Sequence, residues 1–367
     1  MTRAELVRSD AAFLGLREEW NALLQDSPAD GFFLTWEWLH SWWSHLRGRR
    51  RLALVTLRGE GRLLALAPLC QGSRLELLGS GQAGSDYLDV IVRHGSRAAA
   101  LPALAARIRE IGSVLELRRL RAGSDAQALV ELLADAGCAV RRSAPAFCPY
   151  LDLRELSWDT LLAGLGPAHR ANLRRRLRVL ERGHTPRFEL VGSEARRREL
   201  LPVLFELHRR RWAERGGSDG LLGPGLAAFH DQVSRLALRR GWLRLFVLWL
   251  GDVPAAALYC FRYREGVVFY QSGFDPGFAR LGVGLVALGL ALRSAVEEGA
   301  GEFDLLHGEE PYKFLWAKRR RPLAGFTVFP AGAHGRLAWG HDAAKDFARV
   351  LLRRPPGAER PHAATAR

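Results

Sequence analysis

The chain has 367 residues, too many for one compact core, since chains divide into units of roughly 100 to 200 residues, so two domains are expected. With 48% hydrophobic and 25% charged residues, it is neither disordered nor fibrous. Fifty-four basic against 39 acidic residues leave a formal charge of +15, which points to phosphate-bearing ligands, nucleic acid or an anionic membrane face without choosing among them.

Cys70, Cys138, Cys148 and Cys260 are scattered, with no C-x-x-C pair and no nearby histidine cluster. That spacing argues against a metal site and a disulfide framework and fits a reducing cytosol. Met1 to Glu5 leads into mixed charged sequence, with no basic-then-apolar leader. The longest apolar stretch, Leu281 to Leu292, carries three glycines and falls short of the roughly 20 residues of a membrane helix. A cytoplasmic protein is expected, at most peripheral at the inner membrane face. Nearly all its cations are arginines; Lys313, Lys318 and Lys345 are the only lysines.

In chain order, Phe32 to Leu46 reads as an amphipathic helix rich in tryptophan, with Thr35 as N-cap. Arg51 to Leu57 and Arg62 to Leu69 form a hairpin around Arg58-Gly59-Glu60-Gly61. A glycine-rich turn, Gly79 to Ser85, precedes a strand at Tyr87 to Val92, a helix at Arg97 to Ile111, a strand at Val114 to Leu120 and a helix at Asp125 to Ala136. Pro145 and Pro149 place a boundary near Ser143 to Pro149, dividing the chain into 1–148, 149–330 and a C-terminal helix with a disordered tail at 331–367.

The second unit opens at Tyr150 to Leu153, followed by a helix near Trp158 to Leu165 and an arginine-dense helix from Ala168 to Arg182. In the latter, Leu173, Leu177 and Leu180 mark a buried face, while Arg170, Arg174 and Arg178 line another. Leu200 to Arg215 and Leu226 to Arg239 are helical, separated by the glycine-rich Gly216 to Gly225. Leu243 to Leu250, Pro254 to Tyr263 and Val267 to Ser272, joined by two tight turns, form an antiparallel meander. A helix at Leu285 to Glu298, a strand at Glu302 to Leu306, a short helix at Pro311 to Ala317 and a strand at Pro322 to Phe329 complete an α/β (α+β) fold of largely antiparallel sheets flanked by helices.

Chemistry concentrates between Gly266 and Arg321. The loop Gly273 to Gly284 opens a long helix, and a helix start preceded by glycines presents free N–H groups and a positive dipole end, suited to a pyrophosphate. The preceding hairpins disfavour a dinucleotide-binding βαβ unit. Arg280, Gly282 and Gly284 are the candidate cradle. Asp304 neighbours Phe303 in a strand, so the two side chains point oppositely.

The meander, the Arg280-x-Gly282-x-Gly284 loop and its helix resemble the core of the GNAT superfamily of N-acetyltransferases, with the arginine one place nearer the first glycine than usual. Phe303-Asp304, Gly308, Tyr312-Lys313 and Trp316 resemble the F-D-x-x-x-G-x-x-x-Y-K-x-x-W signature of acetyltransferases associated with cellulose biosynthesis (the CelD/BcsL type), relatives of the Fem aminoacyltransferases. Phe33 to Leu39 with Trp42-Trp43 is similar to that family's opening helix, and Arg170-x-Asn172-Leu173-Arg174-Arg175 to its central basic helix.

The resemblance implies two GNAT-like lobes in tandem, the first degenerate, the second using acetyl-CoA or another acyl-CoA. The first lobe's loop, Gly79 to Gly84, has no basic residue and makes a poor cradle. Tyr312 is the candidate acid for the departing thiolate, Glu309 and Asp304 are candidate bases or positioning groups, with His307 a further candidate, and Lys313 is a candidate phosphate contact. Each has a plainer reading as a packed or solvated side chain. The expected acceptor is an amine or hydroxyl on a sugar, polysaccharide or cell-envelope precursor. Charged tRNA as donor, a scaffold that has lost its chemistry, and nucleic-acid binding through the six arginines between Ala168 and Arg182 are the rivals.

Overall fold

The computed structural model describes residues 4–29, 31–213, 221 and 223–352. The tail from Pro355 and most of the Gly216 to Gly225 loop, read above as disordered and glycine-rich, lie outside the described residues. The first half contains β1 (Glu5–Val7), α1 (Asp10–Gly15), α2 (Arg17–Gln25), α3 (Trp36–Leu46), β2 (Arg51–Leu52), β3 (Leu54–Gly59), β4 (Arg62–Ala67), β5 (Leu69–Gln71), β6 (Leu75–Leu77), β7 (Ile91–Val92), α4 (Arg97–Ile111), β8 (Leu115–Arg121), α5 (Asp125–Asp135) and β9 (Ala139–Arg142). Then come β10 (Ala146–Asp152), α6 (Trp158–Gly164), α7 (Pro167–Gly183), β11 (Pro186–Leu190), α8 (Glu194–Ala213), α9 (Leu226–Arg239), β12 (Leu243–Leu250), β13 (Val253–Tyr263) and β14 (Gly266–Phe274). The chain continues through α10 (Val283–Glu297), β15 (Glu302–Asp304), α11 (Pro311–Phe314), β16 (Arg319–Phe329) and α12 (Ala333–Leu352).

Local chemistry sets these boundaries. Thr35 accepts from the Trp38 N–H and starts α3; its four tryptophans are buried, so the aromatic stripe is core. Gly112, at φ +69°, closes α4. Ser157 and Thr160 form a reciprocal cap on α6.

The sheets are mostly antiparallel. A small one runs β1-β3-β4-β7, and a large one runs β11-β12-β13-β14-β15-β10-β16-β8-β6-β5-β2, with β9 also paired to β16. Only β14–β15 and β6–β8 are parallel pairs among the described residues. The large sheet crosses both halves of the chain. One apolar core fills the first half and continues beneath α8 and α9. The other lies on the opposite face, under α6, α7 and α10.

Two expectations change. The Tyr87 to Val92 segment is strand only at Ile91–Val92, because Tyr87 is left-handed at φ +58° and Asp89 takes the N–H groups of Val90 and Ala126. Pro149 does not break the chain. It sits inside β10, opposite Arg320, with its carbonyl accepting from the Leu305 N–H, since a proline with its missing N–H is tolerated where the ladder needs only the carbonyl.

Candidate active site

The site begins where two parallel strands part. β14 pairs with β13 along its length, but with β15 only at Gly266↔Glu302, Val267↔Phe303 and Val268↔Asp304. Beyond that, β15 ends and Leu305 turns towards β10. The register slips between Tyr259 and Cys260, leaving Tyr270 as an extra residue on β14. Such a bulge bends the strand and increases its twist. From Phe269 to Phe274 the free edge of β14 therefore faces a wedge, where an extended molecule bearing amides can hydrogen-bond to main chain.

The wide end of this wedge meets the glycine loop. Asp275 caps a two-turn 3-10 segment, Pro276–Leu281, by accepting from the Gly277 N–H at 2.9 Å. Gly282 follows at φ +73°, as N-cap of α10. Its own amide is spent on the Ala279 carbonyl, but Val283, Gly284 and Leu285 occupy the first helical turn, whose N–H groups have no acceptor within the helix. Both glycines are closely packed. A Cβ on Gly282 would lie 3.2 Å from Arg176 Cδ, and one on Gly284 would lie 3.3 Å from Phe274 Cδ1. Arg176, reaching across from α7, donates to the Arg280 carbonyl, whereas the Arg280 side chain is exposed.

Helix α8 crosses β14 at Gly273, where a Cβ would meet the His208 nitrogen at 2.2 Å. This contact delivers His208 and Arg211 to the wedge. His208 Nδ1 donates to the Ser272 carbonyl at 2.9 Å, and burial holds the imidazole below its usual pKa. Arg211 Nη1 donates to Ser272 Oγ at 2.7 Å, and its guanidinium lies 5.3 Å from the Phe274 ring and 5.9 Å from the Tyr312 ring. Burial, then the charge of Glu310, push the Tyr312 hydroxyl up to about 12, with Arg211 opposing. Tyr312 therefore stays protonated and can give a proton to a departing anion. Phe274 links these parts, touching Gly284's space on one side and Arg211 on the other.

Asp304 belongs to a second cluster. It is 3% exposed and accepts from Tyr87 Oη at 2.7 Å, Arg321 Nη1 at 2.8 Å and the Leu306 N–H at 2.7 Å. Arg321 also holds Glu302 and stacks on Tyr150, 4.4 Å away. Burial raises the Asp304 carboxyl to about 6 against the pull of Tyr87 and Arg321. Phe303 faces the core under α10, and Asp304 faces the first half of the chain, as strand alternation requires.

That first half encloses, with the second, a cavity of about 910 Å³ lined by Tyr87, Arg121, Ser124, Val268, Asp304 and Arg321 among others. Val268 and Asp304, both in its lining, are the last register pair before β14 and β15 separate.

Lys313 is placed differently from the expected phosphate contact. Its ammonium donates to the Leu306 carbonyl at 3.2 Å and the His307 carbonyl at 2.9 Å and pairs with Glu310 at 3.0 Å, at 4% exposure. All three donors are used inside the protein, so Lys313 ties the 306–313 loop. Glu309 is exposed on that loop. The His307 N–H donates to Asp86, and its side chain is exposed. Asp86, Tyr87, His208, Arg211 and Arg321 escaped the sequence reading; the one available signal was Gly273, a glycine inside a strand, which marks close approach of another backbone.

Residues 167–314 match the family model described as an acetyltransferase (GNAT) domain. Over that stretch the chain is similar to the GNAT domain. FemX superposes with a TM-score of 0.61 at 12% identity, over 85% of this chain and 95% of that one. The C-terminal DUF2156 domain of an Agrobacterium fabrum protein assigned as a lysylphosphatidylglycerol synthetase gives 0.55 at 14%, over 94% and 98%. The L-PGS of Bacillus licheniformis gives 0.54 at 14%, over 92% and 97%. At these identities the likeness is one of fold. No curated protein matches the sequence. The matched segment contains α7 to α11, hence the glycine loop, the wedge and Tyr312.

Proposed function

We propose that this protein is an acyl-CoA-dependent acyltransferase, most simply an acetyltransferase of the cellulose-biosynthesis-associated kind that its signature resembles. Its acceptor is an amine or hydroxyl on a sugar, polysaccharide or cell-envelope precursor. The observation that carries this reading is the meeting of the wedge, the open first turn of α10 and the protonated Tyr312. The amides of Val283, Gly284 and Leu285 suit a pyrophosphate, with Arg280 near it, and the free edge of β14 suits the amide-bearing arm of CoA. Acyl-CoA supplies the activated thioester carbonyl when bound.

The acceptor enters through the cavity between the halves, whose mixed lining of arginines and carboxylates offers hydrogen-bond partners to a polar, hydroxyl- or amine-bearing molecule. Asp304, ionised above pH about 6, positions the nucleophile and takes its proton; Glu309, exposed on the 306–313 loop, is the second group for positioning the acceptor. As the nucleophile bonds to the carbonyl carbon and the C–S bond breaks, Tyr312 gives its proton to the sulfur. Mass spectrometry of the purified protein for a co-purifying CoA thioester, followed by calorimetry with acetyl-CoA, tests the assignment. Absence of any CoA binding defeats it.

A second reading uses charged tRNA as donor. It rests on Arg174, Arg175 and Arg178, exposed along α7 beside the glycine loop, and on the fold shared with FemX. Activity that needs charged tRNA, and that CoA thioesters cannot replace, would select it.

A further inference from the structure

We infer a second ligand site, for a phosphate-bearing molecule, in a cavity of about 740 Å³ between β8, β9, β16 and α12. It shares no lining residue with the cavity between the halves. Its cations are Arg74, Arg118, Arg119, Arg141, Arg142 and Lys345.

Carboxylates answer only part of this charge. Asp342, 6% exposed, joins Arg74 and Arg141. Glu116 accepts from Arg118 Nε at 2.7 Å and sits 3.6 Å from Arg74. Asp86, behind the wall, takes Arg119 at 3.2 Å. Arg142 instead lies over the Phe326 ring, 5.5 Å from its centre, and is exposed; neither it nor Lys345 is in an ion pair among the described residues. Six cations against three carboxylates leave an excess matching the charge of a phosphate or diphosphate, whose oxygens accept charge-assisted bonds from arginine.

Backbone geometry at this cavity points the same way. The β8–β16 register slips between Ala324 and Phe326, leaving Arg118 and Arg119 opposite Gly325. Arg119 is left-handed, at φ +54°, a strained conformation for a long side chain that persists where the surroundings impose it. The bulge turns two successive arginines towards the cavity, and Gly325 permits it, since a Cβ there would lie 2.9 Å from Ser143 Oγ.

The test is calorimetric titration of the full chain with inorganic pyrophosphate, together with arginine modification by phenylglyoxal read by peptide mass spectrometry. Pyrophosphate is expected to protect Arg118, Arg119 and Arg142. Arg142→Gln is expected to weaken this binding about tenfold, one charge-assisted contact being lost, with an unchanged melting curve; Lys345→Gln provides a second variant. Gly284→Trp, which blocks the donor cradle, should leave this protection intact, so the outcome is independent of the proposed acyl transfer. Vesicles of phosphatidylcholine with phosphatidylglycerol form the other arm: sedimentation with them that Arg142→Gln abolishes assigns the phosphate to a lipid headgroup. Protection confined to other arginines, or binding indifferent to both variants, overturns the proposal.

Discussion

Gly284 stands against the ring of Phe274 so closely that a single added carbon would lie 3.3 Å from it. The start of α10 and the end of β14 are thus held in one spacing. Gly284→Trp should cost at least about 100-fold in acetyl-CoA affinity by calorimetry, equivalent to about two lost charge-assisted contacts at the pyrophosphate. Circular dichroism should report unchanged helix content. Full affinity in this variant would remove the cradle from consideration.

Tyr312→Phe removes a proton donor while keeping the packed ring. The expected loss is about 10² to 10³ in kcat, with KM nearly constant. Because the hydroxyl is held at about 12, the wild-type rate should show no basic limb from this residue below pH 10. An undiminished kcat would reduce Tyr312 to a packing role.

Lys313→Gln discriminates between a loop tie and a phosphate contact. Its three internal partners predict a stability loss of about 2 kcal/mol in urea unfolding, from broken charge-assisted bonds. Acetyl-CoA affinity should change less than kcat, which depends on where the loop holds Tyr312.

The buried Asp304 carboxyl, raised to about 6 from an ordinary value near 3.8, has two signatures. Folding favours its protonated form, so its contribution to stability is present below pH about 4 and declines as pH rises towards 6. Acid-limb kinetics run the other way: kcat/KM should rise with pH through about 6 if the ionised form serves the acceptor. Asp304→Asn should flatten both curves, and a limb that survives the substitution belongs to another group.

His230 provides the opposite stability slope. It is fully buried among Phe229, Tyr259 and Tyr270, neither ring nitrogen has a partner among the described residues, and burial lowers it to about 3. The unfolded chain takes up a proton below pH 6.5 and the folded chain does not, so stability falls as pH drops from 6.5 towards 3. His230→Leu should shallow that fall, gaining about 2 kcal/mol at pH 5 relative to its effect at pH 8. Parallel curves for the two proteins would refute the assignment.

Legibility followed the range of the interactions involved. Helices α4 and α9 and strand β12 have the boundaries that periodicity and turn residues dictate, because their determinants lie within a few residues. The meander was equally plain from its two tight turns. The internal partners of Lys313 are not legible locally, because its acceptors include the carbonyl of a left-handed Leu306, at φ +57°, which no local pattern announces. Arg211 reaches the wedge only because α8 crosses β14 some 60 residues further on, and Tyr87 meets Asp304 across 217 positions. Such long-range meetings leave no periodic trace.

The placement of β16 bears on how the chain matures. This strand, near the end of the sequence, lies between β10 and β8, so β8 keeps an unfilled flank until some 200 further residues have left the ribosome. Pairings of such wide separation form slowly and leave sticky edges in the meantime. The nascent first half is therefore a natural client for a chaperone, and excising it at residue 148 would strip it of the strand that completes its sheet.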